Sequence, residues 1–257
     1  MICDSHGHLQ MLPEGERREA IGRARDAGVG KILVPGTTVE DSRAAVDVAE
    51  AHEGVFAAVG IHPHEAKDFD EDRVLPIFET LLRSPKAVAV GEIGLDFHYD
   101  HSPRDVQRRA LRSQLAFARE RGLPALLHNR ESGAEMLDIL AAEPRRADPG
   151  VFHSFTEDAA YGSRAIALGY RISFSGMLTF KGAENIRAAA RGLPLAAMLV
   201  ETDAPFLAPE PHRGKRCEPA YVVDTARRLA AVKEVSFEEV EAATTSNFDA
   251  LFARRPA

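Results

Sequence analysis

Cysteine is scarce in this chain. Only Cys3 and Cys217 occur in 257 residues, too few and too far apart for a disulfide framework, so both read as structural thiols of a reducing compartment. Long apolar runs are missing as well: none approaches the ~18 residues that a membrane-spanning helix needs. The opening MICDSHGHL carries neither a basic leader nor an extended apolar stretch. The expectation is therefore a cytoplasmic protein with no secretory signal and no membrane partner.

Positive charge is also in deficit. Lys plus Arg number 32 against 39 Asp plus Glu, a net charge of -7, which is the wrong sign for gripping duplex DNA through the overall field. Any nucleic-acid contact has to be local. No Gly-rich dinucleotide fingerprint follows the first apolar run, and no internal repeat, low-complexity tract or linker divides the chain. Residues 1–257 are expected to form a single domain, with 205–219 as a long, Pro-rich connection.

What the chain does have is eight short apolar runs: Met1 to Asp4, KILVPG, VFAAVGIH, AVAVGEIG, PALLH, GVFHSF, RISFS and MLVETD. Their near-continuous apolarity suits parallel strands buried on both faces, whereas half-exposed strands would alternate. Longer segments of helical spacing separate them. SPRDVQRRALRSQLAFARERG reads as a helix from near Ser102-Pro103 to Gly122, with Leu111, Leu115 and Ala118 on its apolar side. VSFEEVEAATTSNFDALF lines up Phe237, Val240, Thr244, Phe248 and Leu251 behind a Ser236/Glu239 capping box, an extra C-terminal helix that closes the fold. Eight strand–helix units in a chain of this length match the α/β class and its TIM-like (β/α)8 barrel, typically roughly 250 residues. A doubly wound open sheet is the rival.

Barrel active sites lie where strands end, so the side chains that close each strand carry the chemistry. Strand one ends in Asp4, His6 and His8, strand three in His62 and His64, strand four in Glu92 and Asp96. Strand five ends in His128, strand six in His153, strand eight in Glu201 and Asp203. Six of the 10 His residues fall at these positions. Residues two apart on a strand share a face, so His6 and His8 can present two imidazoles to one ion. His6, His8, Glu92, His128, His153 and Asp203 are the six candidate metal ligands, enough for two ions sharing a carboxylate. Nitrogen donors mixed with carboxylates suit transition ions better than Ca or Mg alone.

Each residue taken singly has a plainer reading. His128 or His153 alone would be a satisfied core histidine, Glu92 a buried acid paired to Arg130, and Asp203 the cap of the TDAPF turn. Asp96 and His98 could shape a loop, GIHPH a rigid turn, HRGK a solvated surface loop, and Cys3 a small buried hydrophobe. Their joint placement at strand ends favours the metal reading.

In order along the chain, DSHGHL, GIHPH, GEIGLDFHYD, HNR, HSFTED, ETDAPFLAPEPHRGK and TTSNFDALF resemble the TatD family of metal-dependent deoxyribonucleases, within the amidohydrolase superfamily. The resemblance runs essentially the whole length. It implies a distorted TIM-like barrel with a binuclear site of two divalent ions (Mn, Mg, Zn, Ni or Co). By matching position, His6 and His8 are the first-strand ligands of one ion, and Glu92 is the bridging carboxylate. His128 and His153 serve the other ion, and Asp203 is the last-strand Asp near the water. Cys217 departs from the Asn of many relatives, and Ser154 from a frequent Cys.

The activity so implied is hydrolysis of DNA phosphodiester bonds by a metal-activated water, as an exonuclease on single strands or 3' ends. No obligate protein partner is evident. Asp203 and Glu92 are the catalytic candidates, and Asp203 is the base. His62, His64, Arg130, Arg213 and Lys215 are the candidates for holding substrate phosphate. The alternative is an amidohydrolase acting on an amide or ester, aminoacyl-tRNA-type substrates included. A carboxylated bridging Lys would mark the small-amide enzymes, and strand four ends instead in Glu92. A metal-binding barrel without activity should have lost a ligand, and all six are present.

Overall fold

The structure, a computed structural model, describes residues 1–252. Eight strands form one parallel sheet in sequence order: β1 (Ile2–Asp4), β2 (Val29–Pro35), β3 (Val55–Val59), β4 (Ala87–Asp96), β5 (Ala125–Arg130), β6 (Gly150–Phe152), β7 (Arg171–Phe174) and β8 (Met198–Val200). Every residue of β4 is buried, as the unbroken apolarity of AVAVG requires when helices cover one side and the barrel interior the other. The helices are α1 (Glu14–Asp26), α2 (Val39–Ala51), α3 (Glu71–Leu81), α4 (Arg104–Glu120), α5 (Gly133–Ala142), α6 (Ala159–Ala167), α7 (Glu184–Gly192), α8 (Val222–Lys233) and α9 (Phe237–Phe252). This is the expected TIM-like (β/α)8 barrel with an extra C-terminal helix. The helix expected from Ser102-Pro103 to Gly122 is α4, with Leu111, Leu115 and Ala118 buried.

β8 and β1 meet beyond their formal ends. Ser5 N–H donates to the Val200 carbonyl at 3.1 Å, Asp203 N–H to that of His6 at 2.9 Å, and His8 N–H to that of Ala204 at 2.6 Å. A parallel bridge between Gly7 and Ala204 completes the seam. Asp4 locks it from inside: its buried carboxylate accepts from Thr202 N–H (2.9 Å), the Thr202 hydroxyl (2.6 Å) and His6 N–H (3.3 Å). The acidic residue that opens the D-x-H-x-H string therefore ties the first strand end to the last, and holds His6, His8 and Asp203 together.

α9 closes the opposite end. Its Phe248, Leu251 and Phe252 pack on Cys3, Leu33, Ala58, Val88, Leu126, Val151 and Leu199, one inward layer of the strands. Burial of each large side chain is worth roughly 1.5–3 kcal/mol. The capping box is reciprocal: Ser236 N–H donates to Glu239 Oε2 at 2.9 Å, and Glu239 N–H to Ser236 Oγ at 3.2 Å. Cys3 and Cys217 are free and buried, and burial pushes the Cys3 thiol up to about 11. Among the described residues no helix is long and apolar enough to cross a membrane.

Candidate metal centre

At the C-terminal ends of the strands, buried imidazoles and carboxylates converge around Glu92. Its two oxygens face different partners. Oε2 lies 3.4 Å from His6 Nε2 and 3.8 Å from His8 Nε2. Oε1 lies 3.0 Å from His128 Nδ1 and 2.9 Å from His153 Nε2. Asp203 completes the first lobe, with Oδ1 3.6 Å from both His6 Nε2 and His8 Nε2. Within the lobes, His6 Nε2 and His8 Nε2 are 3.1 Å apart, and His128 Nδ1 and His153 Nε2 are 3.3 Å apart.

β4 can reach this position because Gly94 lacks a side chain: a Cβ there would collide with the carbonyl oxygen of His128 on β5. The six side chains expected to hold metal thus occupy one cluster. Arg130, the imagined partner of Glu92, is exposed and lies over the Tyr99 ring instead. The TDAPF turn does form, but through its backbone, Phe206 N–H donating to the Asp203 carbonyl at 2.8 Å. That leaves the Asp203 side chain free for the imidazoles.

The donor set fits metal. For bonds of about 2.0–2.1 Å, neighbouring ligand atoms of one ion stand about 2.9–3.4 Å apart, close to the separations within each lobe. No Lys or Arg pairs with Glu92, Asp96, Glu201 or Asp203 among the described residues, so the buried carboxylates find charge only in imidazoles. Glu201 Oε2 is buried without a partner. Three donor groups lie within 4.8 Å internally: His6, His8 and Asp203; His6, His153 and Glu201; His62, Glu92 and His128.

Burial opposes the charge on Glu92, but His153, His62 and His6 outweigh it and hold its pKa well below the ordinary range. Asp203 is likewise held down, against its burial, by His8, His6 and His153. Burial works the other way on His153, whose pKa Glu92 and Glu201 nevertheless raise well above normal. His128 and His8 are raised by their carboxylates too, while burial and the neighbouring His153 lower His6. Raised imidazoles keep protons that an ion must displace. Metal uptake should therefore release protons and weaken as pH falls. Calorimetry in buffers of different ionisation heat reads this, and uptake that stays constant between about pH 5.5 and 8 would exclude it.

Two carboxylates stand behind the imidazoles of the second lobe. Asp96 Oδ2 lies 3.1 Å from His128 Nε2, and Glu201 Oε1 lies 3.3 Å from His153 Nδ1 while accepting from Ser154 N–H at 2.8 Å. Such outer partners fix which ring nitrogen faces a metal. Replacing Glu201 with Gln is expected to weaken ion affinity roughly 10–100-fold, and a titration giving an unchanged affinity would remove Glu201 from that role.

The substrate candidates scatter more widely. His62 Nδ1 accepts from His64 N–H at 3.1 Å, which leaves Nε2 as the protonated nitrogen, 3.4 Å from Glu92 Oε1. Burial pulls its pKa down to about 4, so the ring is a neutral donor. His64 sits 2.9 Å from Asp96 Oδ2 at the rim. Arg213 lies 3.8 Å over the Phe180 ring and donates to the Ala208 carbonyl, and Lys215 is exposed. Neither is brought to the cluster.

A model of the TatD related DNase family matches residues 3–253. The chain belongs to the TatD family of metal-dependent hydrolases. It is 38% identical over 253 residues to the uncharacterized metal-dependent hydrolase YabD of Bacillus subtilis, covering 98% of this chain and 99% of that one. Identity is 36% over 256 residues to the uncharacterized metal-dependent hydrolase YcfH of Escherichia coli, with 98% and 95% covered. The crystal structure of the TatD homologue YjjV from Escherichia coli superposes with a TM-score of 0.91 at 32% identity, covering 99% of this chain and 98% of that one.

Sequence reasoning left Asp96 and Glu201 out of the TatD-like ligand set. Each was detectable as a carboxylate at a strand end: Asp96 closes β4 four residues after Glu92, on the same face, and Glu201 directly follows the last residue of β8.

Proposed function

We propose that this hydrolase cleaves phosphodiester bonds in DNA, removing nucleotides from the ends of single strands, with two divalent ions in the two lobes around Glu92. The carrying observation is the division of Glu92: one oxygen faces His6 and His8, the other His128 and His153. The DNase description of the family and an unpaired basic group at the rim support phosphate as the group attacked. Ions held there would supply an acidified water and neutralise the charge that builds on phosphoryl oxygens.

The chain's own residues supply the rest. Asp203, ionised and 3.6 Å from both first-lobe imidazoles, accepts the proton of the attacking water. His62 offers its Nε2 proton as a hydrogen bond near Glu92. Arg130, exposed and without an ion pair among the described residues, binds a phosphate oxygen pair as a planar fork. The free, buried thiols support a cytoplasmic setting, and the seam and α9 support residues 1–257 acting as one domain.

End-labelled single-stranded DNA tests this reading. EDTA-stripped protein should be inert, and adding back Mn, Mg, Zn, Ni or Co should restore a ladder growing from one end. No cleavage by protein shown to hold metal would overturn the phosphodiesterase reading and direct attention to amides and esters.

A further inference from the structure

Four large apolar side chains are exposed among the described residues: Met1, Met11, Tyr99 and Phe206. Single exposed hydrophobes are ordinary, but three of these four share one end of the barrel. Met11 follows His8 after β1, Tyr99 follows β4, and Phe206 follows Asp203 after β8. Phe206 is 51% exposed, and its ring meets that of His8 edge-on with centroids 6.2 Å apart. Tyr99 is 50% exposed, meets His64 edge-on at 5.6 Å, and stacks in parallel on His101 at 5.5 Å. His64 in turn shares Asp96 Oδ2 with His128. One exposed ring therefore flanks the His6–His8–Asp203 lobe and the other stands behind the His128 lobe. The Arg130 guanidinium lies 4.7 Å over Tyr99.

We propose that Phe206 and Tyr99 are stacking platforms for the two nucleobases on either side of the scissile phosphate, an inference that rests on the phosphodiesterase reading. Every base offers a π-face, so aromatic platforms grip a strand without reading its sequence. Only unpaired bases can reach them, which gives a physical reason for a single-stranded substrate. Stacking also lets an acidic chain hold a polyanion with few phosphate contacts, so affinity should depend only weakly on salt.

The test uses metal-loaded protein and single strands carrying a tetrahydrofuran abasic residue on the 5' or the 3' side of the scissile bond. Wild type should lose about ten-fold in kcat/KM on each abasic strand. Phe206→Ala and Tyr99→Ala should each lose about as much on the normal strand, through KM, and lose nothing further on one of the two abasic strands. Phe206→Tyr and Tyr99→Phe should restore wild-type behaviour.

Binding is read in parallel with a non-hydrolysable phosphorothioate strand containing 2-aminopurine, whose fluorescence stacking quenches. Normal cleavage with unchanged discrimination in both Ala variants would overturn the platforms and leave the phosphodiesterase reading standing. Quenching by wild type but not by the double Ala variant, without cleavage of any strand, would uphold the platforms and overturn that reading. Neither cleavage nor quenching would overturn both.

Discussion

Glu92→Gln is expected to lower metal-dependent hydrolysis by at least about 10³-fold, well beyond the roughly 10–100-fold cost of losing an outer partner. The substitution keeps the shape of the side chain and removes its charge. Two lobes then lose their shared acceptor at once, because Oε2 serves His6 and His8 while Oε1 serves His128 and His153. An amide nitrogen in either position would point hydrogens at imidazole nitrogens that must be bare to bind metal. Metal analysis of the purified variant should show both lobes weakened together, and Glu92→Asp should rescue little, since a carboxylate drawn back by about 1.5 Å no longer spans them. Full occupancy and normal turnover in Glu92→Gln would refute the sharing of Glu92 between two ions.

The barrel was legible because parallel strands buried on both faces leave unbroken apolar runs such as AVAVG, and because a capping box announces α9. The cluster was legible for a related reason. Side chains at the C-terminal ends of parallel strands all point to one mouth, so a list of strand-closing His, Asp and Glu is nearly a list of neighbours. Asp4 shows the limit of that rule. It closes β1 in the same D-x-H-x-H string, yet its carboxylate is consumed by the neighbouring His6 N–H and, across the seam, by the N–H and hydroxyl of Thr202, 198 residues away in sequence. Arg213 and Lys215 show it again, since position on a long connection says little about direction: Arg213 spends its guanidinium on Phe180 and a carbonyl. Arg130 was legible only as a charge, because its stacking on Tyr99 depends on where the loop after β4 returns.

Asp203→Asn should separate proton transfer from metal holding. General-base catalysis is worth about 10²–10⁴-fold, and a loss of that size in kcat with little change in KM is expected. Asn is the informative replacement. Asp203 has a left-handed backbone, with φ of 61°, a conformation that Asn tolerates and Ala does not. Its N–H bond to the His6 carbonyl and its carbonyl bond from Phe206 N–H survive the change, so the turn and the seam stay in place. The Asn oxygen still faces His6 and His8, but it cannot accept a proton near neutral pH. Raising the metal concentration then decides the assignment. If Asp203 is the base, kcat stays low in variants saturated with metal; if it only holds an ion, excess metal restores turnover. An unchanged kcat at ordinary metal levels would exclude both roles and leave Asp203 as a residue of the turn alone.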